Sequence, residues 1–393
     1  MNSRTRIWFE FKCNFQNWNC FFESFRQAMK QFSPCSLQPK TTQGNNCSLT
    51  FLLFSDESVV RECTEIKIPV PWGHVSGKWW GPREKQPVLA LHGWQDNAGT
   101  WDTLAPLLPV EISLLAIDLP GHGMSSHYPP GMHYYIFWDG ISLIRRIVQH
   151  FKWGKVVLMG HSLGGALSFM YAATFPDDVD RYISVDIASP SVKDTKKIVD
   201  STGPSIEQFL KYENLKEDNI PCYNYEDMLA IVLDAYKGSI TEKSCEILMQ
   251  RGMTRTPSKN GYHFSRDVRL KVASLGMFSI EYVLEYAKRI KCKVLNIKAK
   301  PGMDWDNPEY YGMAIDVIKK HASLVVCHEV AGTHHVHLNE PEKVLPFILN
   351  FLLKNFFRGK NSYAQCPEYR NTSRKLVNQC YTENPKENLK TSK

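Results

Sequence analysis

Long apolar runs are missing from this 393-residue chain: no stretch of 18 or more apolar residues occurs, which excludes a membrane-spanning helix. Near the start, Ile7, Trp8, Phe9 and Phe11 are interrupted by Glu10, Lys12 and Asn14, so a secretory signal with a continuous apolar region is not expected. The eleven cysteines have no regular spacing, and no CxxC pair or Cys/His cluster with zinc-ligand spacing is present. Reduced thiols in an intracellular, cytoplasmic protein are the simplest expectation. The final Thr391-Ser392-Lys393 lacks the leucine of the S-K-L peroxisomal address, although a peroxisomal location stays open. A basic body is also missing. The net charge of +7 comes from the tails: residues 1–63 hold 7 Lys/Arg against 5 Asp/Glu, and residues 355–393 hold 8 against 3. The stretch between carries 32 of each, so bulk charge gives no reason to expect nucleic acid as a partner.

What is present is a rhythm. Val88-Leu89-Ala90-Leu91, residues 113–117, Val156-Val157-Leu158-Met159, Tyr182-Ile183-Ser184-Val185, Val294-Leu295-Asn296-Ile297 and Leu324-Val325-Val326 are short apolar runs. Helical periodicity separates most of them, at about residues 100–108, 135–150, 164–174, 307–321 and 342–356. Such alternation predicts a mostly parallel sheet buried on both faces by helices, an α/β architecture. An alternating run at 65–70 and its return at 75–80 add a hairpin ahead of it. About 100 residues, 190–290, break the rhythm with helical patterns and no apolar strand, which predicts a helical cap inserted after strand six. The expected organisation is therefore an accessory or disordered extension at 1–63, a core at 64–189 and 291–357, the cap at 190–290, and a polar disordered tail at 358–393. One short amphipathic helix is possible around Phe21, Phe22, Phe25, Met29 and Phe32.

The chemistry sits at the ends of these runs. Gly160-His161-Ser162-Leu163-Gly164 follows the strand 156–159 and opens a helix of small and apolar residues, the strand–turn–helix context of a nucleophile elbow. Ser162 is the expected nucleophile, and Gly160 and Gly164 are needed because side chains there would collide. Leu91-His92-Gly93-Trp94 follows the strand at 88, so the backbone N–H groups of Trp94 and Leu163 are the expected oxyanion donors. After the last strand, Gly332-Thr333-His334-His335-Val336-His337 offers three histidines. His334, seven residues before Pro341, fits the G-x-H…P spacing of a base, with His335 and His337 as the others. No carboxylate or cysteine is spaced to make a metal site of the three. His122, in Asp118-Leu119-Pro120-Gly121-His122-Gly123, reads as loop structure. The acid that must orient the imidazole is open among Asp186, which ends the strand 182–185, and Asp304 and Asp306, which lie beyond Lys300-Pro301-Gly302.

In these segments, together with Val70-Pro71-Trp72-Gly73-His74, Gln95-Asp96-Asn97-Ala98 and Gln250-Arg251-Gly252, residues 65–355 resemble the α/β-hydrolase superfamily, and within it the animal serine hydrolase-like proteins. The resemblance implies a cofactor-free, metal-free, carboxylesterase-like hydrolase, and it favours Asp186 because relatives of this branch place the acid at the end of strand six. It implies an ester or thioester substrate, with the Phe, Tyr and Leu side chains of the cap shaping an apolar acyl pocket. A carbon–carbon bond hydrolase, a lipase, and a non-catalytic binding protein of the same fold are the alternatives. Epoxide hydrolase and dehalogenase readings are disfavoured, since those carry an Asp at the elbow and Gln95 stands where they have a proline. Substrate identity and oligomeric state are not written in the sequence.

Overall fold

The computed structural model describes residues 61–215, 219–256, 259–272, 275–303 and 307–353, and the backbone of 6–11 and 49–54. The last two segments, β1 (Arg6–Phe11) and β2 (Leu49–Phe54), pair antiparallel with Arg6 opposite Phe54. The possible helix at 21–32 and the polar tail at 358–393 lie outside the described residues.

Eight strands form one sheet. They are β3 (Cys63–Val70), β4 (Gly73–Trp80), β5 (Val88–Leu91), β6 (Leu114–Ile117), β7 (Val156–His161), β8 (Val179–Val185), β11 (Lys293–Pro301) and β12 (Leu324–Gly332), in the order β12-β11-β8-β7-β5-β6-β4-β3. The hairpin β3–β4 and the β4–β6 pair are antiparallel; every other pairing is parallel. β5 and β6 are buried at all four positions each. That is why they read as unbroken apolar runs: a parallel strand covered on both faces has no polar side to alternate with. β12 is the edge strand, and its Cys327 and Glu329 are exposed. Only Leu324-Val325-Val326 of it forms an unbroken apolar run, because water on one face makes the rest alternate.

The crossovers are α1 (Ile136–His150), α2 (Leu163–Thr174), α6 (Ile280–Ala287) and α7 (Pro308–His321). α1 turns Phe137, Ile141, Ile144, Ile147 and Val148 to the core, whereas α2 buries eleven of its twelve residues. A helix apolar all round must sit in the middle of the molecule, and burying each such Leu or Phe contributes about 1.5–3 kcal/mol. The helix expected at 100–108 is absent. Two 3₁₀ turns, Ala98–Trp101 and Ala105–Leu107, stand there instead, because Pro106 and Pro109 remove the amide donors an α-helix needs.

The 190–290 insertion follows β8, the sixth strand of the sheet. It holds α3 (Thr195–Glu213), α4 (Tyr225–Tyr236) and α5 (Glu242–Gly252), capped by Asp194, Asn224 and Thr241. It also holds a hairpin that the sequence reading missed, β9 (Met253–Thr256) with β10 (Gly261–Phe264). These strands are mostly half-exposed, so no apolar run marks them. Met228, Val232, Ile240, Cys245, Leu248 and Met249 give the insertion its own small core, joined by Leu338 from the short helix that follows β12. The remaining helices are α8 (Val336–Asn339) and α9 (Leu345–Leu353). A second compact unit, residues 347–393, is helical over its described residues.

Candidate active site

Register brings the candidate residues to one sheet edge. Leu91 of β5 pairs with Gly160 of β7, His161 of β7 with Val185 of β8, and Val185 with Ile297 of β11. The residues that follow these positions therefore leave the sheet together at its carboxyl edge, where ligands bind in open α/β sheets.

Ser162 sits between β7 and α2 at φ 49°, ψ −118°, and its N–H donates to Val185 O at 3.1 Å. This backbone conformation costs a non-glycine residue about 1–3 kcal/mol. The surroundings enforce it. A Cβ on Gly160 would stand 2.1 Å from Gly164 C, and one on Gly164 would stand 2.1 Å from Leu91 O. Neither glycine could carry a side chain without moving the backbone it faces.

One residue past β8, Asp186 also has positive φ, 53°. Its Oδ1 accepts from Ala299 N at 2.9 Å, and its Oδ2 accepts from Met303 N at 3.0 Å and from His334 Nδ1 at 2.7 Å. The carboxylate is thus aimed by the far end of β11, which runs four residues past its last pair with β8 and curls over at Gly302. A Cβ on Gly302 would meet both Asp186 oxygens at 2.8 and 2.9 Å. The Lys-Pro-Gly stretch that made residues 304 and 306 look remote is the clamp on Asp186; Asp304 and Asp306 lie outside the described residues. Ser162, Asp186 and His334 are all buried, at 5%, 1% and 8% exposure.

The other histidines are engaged elsewhere. His335 Nε2 lies 3.2 Å from Asp96 Oδ2, and its Nδ1 lies 2.7 Å from Ser239 Oγ. His337 Nε2 lies 2.9 Å from Thr100 Oγ1. His122 contacts Pro120 O through Nδ1, and burial pushes it down to about 3, so it is a neutral loop residue as expected. His92 donates to Gly93 O and accepts from Leu119 N, pegging the β5 and β6 loops together. Trp94 lies in the β5 loop just before Gln95, another residue at positive φ. Leu163 is the first residue of α2, where a backbone N–H has no partner within the helix.

One cluster escaped the sequence reading, which weighed a metal site only from His334, His335 and His337 together. Asp96 meets both His161 and His335 behind the elbow, with Tyr236 donating to Asp96 Oδ1 at 2.5 Å. Its members come from four separate segments, so no spacing rule could have found them. Burial opposes ionisation of Asp96, but the neighbouring His335 foremost outweighs it, and the carboxyl is held well below the usual range. Burial, then the neighbouring imidazoles, push His161 down to about 3.

Residues 86–237 match the model of the alpha/beta hydrolase fold family. A probable serine hydrolase of Drosophila melanogaster is 56% identical over 288 residues, 73% of this chain and 87% of that protein. The chain belongs to the serine hydrolase-like family. Human serine hydrolase-like protein 2 is 35% identical over 74% of this chain and 94% of its own length. Among solved structures, a hypothetical protein of Pseudomonas aeruginosa PAO1 superposes on this serine hydrolase-like chain with a TM-score of 0.65 at 26% identity, covering 73% of it and 99% of the bacterial chain. No helix among the described residues is long and apolar enough to cross a membrane.

Proposed function

We propose that the chain hydrolyses a carboxylic ester or thioester of a small molecule through an acyl-enzyme on Ser162, without a cofactor. The observation that carries this reading is the 2.7 Å contact between Asp186 Oδ2 and His334 Nδ1 at the same sheet edge as the strained Ser162. With Nδ1 held by the carboxylate, Nε2 is the position that takes the Ser162 proton as Oγ attacks the carbonyl carbon. The oxyanion is stabilised by the N–H groups of Trp94 and Leu163, each contributing about 3 kcal/mol. The imidazolium returns its proton to the leaving alcohol or thiol. Water, deprotonated by the same imidazole, then releases the acid and restores Ser162.

The helical insertion acts as the cap. Leu119, Tyr134, Ile136, Leu167 and Leu270 line a narrow, mostly apolar cleft of about 20 Å³ beside Leu163, with His122 and Asp139 also in its wall. It gives an apolar acyl group a foothold next to the elbow but holds no more than a methyl-sized piece of it. A fluorophosphonate probe tests the reading: the protein is modified at Ser162, Ser162→Ala abolishes the signal, and an ester panel graded by acyl length identifies the preferred chain. Absence of labelling on the folded wild type would overturn the reading in favour of a non-catalytic member of the fold.

A further inference from the structure

The proposed mechanism uses none of the cluster behind the elbow. His161 Nε2 lies 3.0 Å from His334 O. A carbonyl only accepts, so Nε2 carries the proton, and Nδ1 of the neutral ring presents a lone pair. That Nδ1 is fully buried with no hydrogen-bond partner among the described residues, and it faces Asp96 Oδ2 at 3.5 Å. Two acceptors facing each other in a dry interior are unfavourable unless a cation stands between them. His335 Nε2 lies 3.2 Å from the same oxygen, and one ligand atom from each of Asp96, His161 and His335 falls within 4.8 Å of the others. Gly93 packs directly against this pair: a Cβ there would stand 2.9 Å from both Asp96 Oδ2 and His161 Nδ1, so a side chain would crowd both ligand atoms.

We propose that Asp96, His161 and His335 form a buried site for a divalent transition-metal ion of the zinc type, bound through Oδ2, Nδ1 and Nε2. Two imidazoles and one carboxylate suit such an ion better than magnesium or calcium. The two separations to Asp96 Oδ2, 3.2 and 3.5 Å, bracket the ~3.4 Å between ligand atoms of a tetrahedral ion with bonds of about 2.1 Å, and the third, between the two imidazole nitrogens, is within 4.8 Å. Each ligand is also held from outside: His161 by His334 O, His335 by Ser239 Oγ at 2.7 Å, and Asp96 by the Tyr236 hydroxyl. Outer contacts of this kind fix tautomer and ring orientation in metal sites. On binding, His335 carries its proton on Nδ1 toward Ser239. The ion ties the β5 loop, the elbow and the histidine loop together; it does not touch Ser162, and the inference stands whether or not the chain is a hydrolase.

The test uses the full chain, stripped with a chelator and reloaded with Zn²⁺ or Co²⁺. The wild type binds about one equivalent, Co²⁺ gives the visible d–d bands of a four-coordinate site, and zinc X-ray absorption reports two imidazole nitrogens with oxygen and no sulfur. His335→Gln and Gly93→Ala, the second crowding Asp96 Oδ2 and His161 Nδ1 with every ligand present, weaken binding at least tenfold. A wild type that takes up no metal, sulfur among the ligands, or folded variants that bind like the wild type would overturn the proposal. The spectra are read on the wild type alone, so a misfolded variant does not shield it.

Discussion

Asp186 Oδ2 accepts from His334 and from a backbone N–H, and Oδ1 accepts from another, so replacing the carboxylate removes charge and acceptors together. Asp186→Asn is therefore expected to lower kcat by about four orders of magnitude, while Asp304→Asn and Asp306→Asn stay near wild type. Steady-state hydrolysis of the best panel ester measures this, and the reverse ranking would move the acid. Asp139 gives a second prediction at this scale. Burial pushes its carboxyl up to about 6 from an ordinary value near 3.8, although Tyr135 N–H opposes the shift. A raised acid holds its proton in the folded state, so stability is lost as pH climbs from the unfolded value through 6. Asp139→Asn should raise Tm at pH 8, by an amount equivalent to about 1–3 kcal/mol, and leave it unchanged near pH 3. Thermal melts across that range decide it.

The elements are locked by charges that the motifs only hinted at. Arg251, near the end of α5, donates to Asp118 Oδ2 at 2.6 Å and to Glu65 Oε1 at 2.5 Å, while Asp118 also accepts from Ala98 N and Met124 N. One buried guanidinium thus fastens the insertion to the β6 loop and to β3. Removing it leaves the buried Asp118 carboxyl without its guanidinium partner. Arg251→Met should cost about 3–5 kcal/mol, read from chemical denaturation, and Arg251→Met with Asp118→Asn should recover part of that loss. At the elbow, Gly164→Ala drives a methyl into the Leu91 carbonyl, so β5 and α2 must separate. Loss of soluble, labelled protein is the expected outcome, against near-normal yield for Gly312→Ala, whose added methyl meets nothing within 4 Å.

Across the whole molecule, every side chain placed in the proposed machinery lies between residues 94 and 334. The 56%-identical Drosophila relative aligns over 288 residues, 73% of this chain. Deleting residues 1–60 is expected to leave fluorophosphonate labelling within about twofold of the full chain. A loss of labelling by the folded truncated protein would assign that extension a part in the site.

Some of this was fixed by local chemistry and is readable from order alone. Parallel strands buried on both faces must be apolar throughout, so β5, β6 and β7 announced themselves. The elbow glycines are dictated by contacts only four residues apart, or with the neighbouring strand, so Gly160-His161-Ser162-Leu163-Gly164 carried its own geometry. The choice among the three histidines narrowed to His334 by spacing, but the acid stayed open between Asp186 and residues 304 and 306. Only the tertiary structure brings the end of β11 round to clamp Asp186, because a loop's path depends on the register of strands 113 residues apart in sequence. The Asp96–His161–His335 cluster is wholly a product of the fold. Side chains as far as 239 residues apart meet there, and no periodicity records a contact made between a strand end and two separate loops.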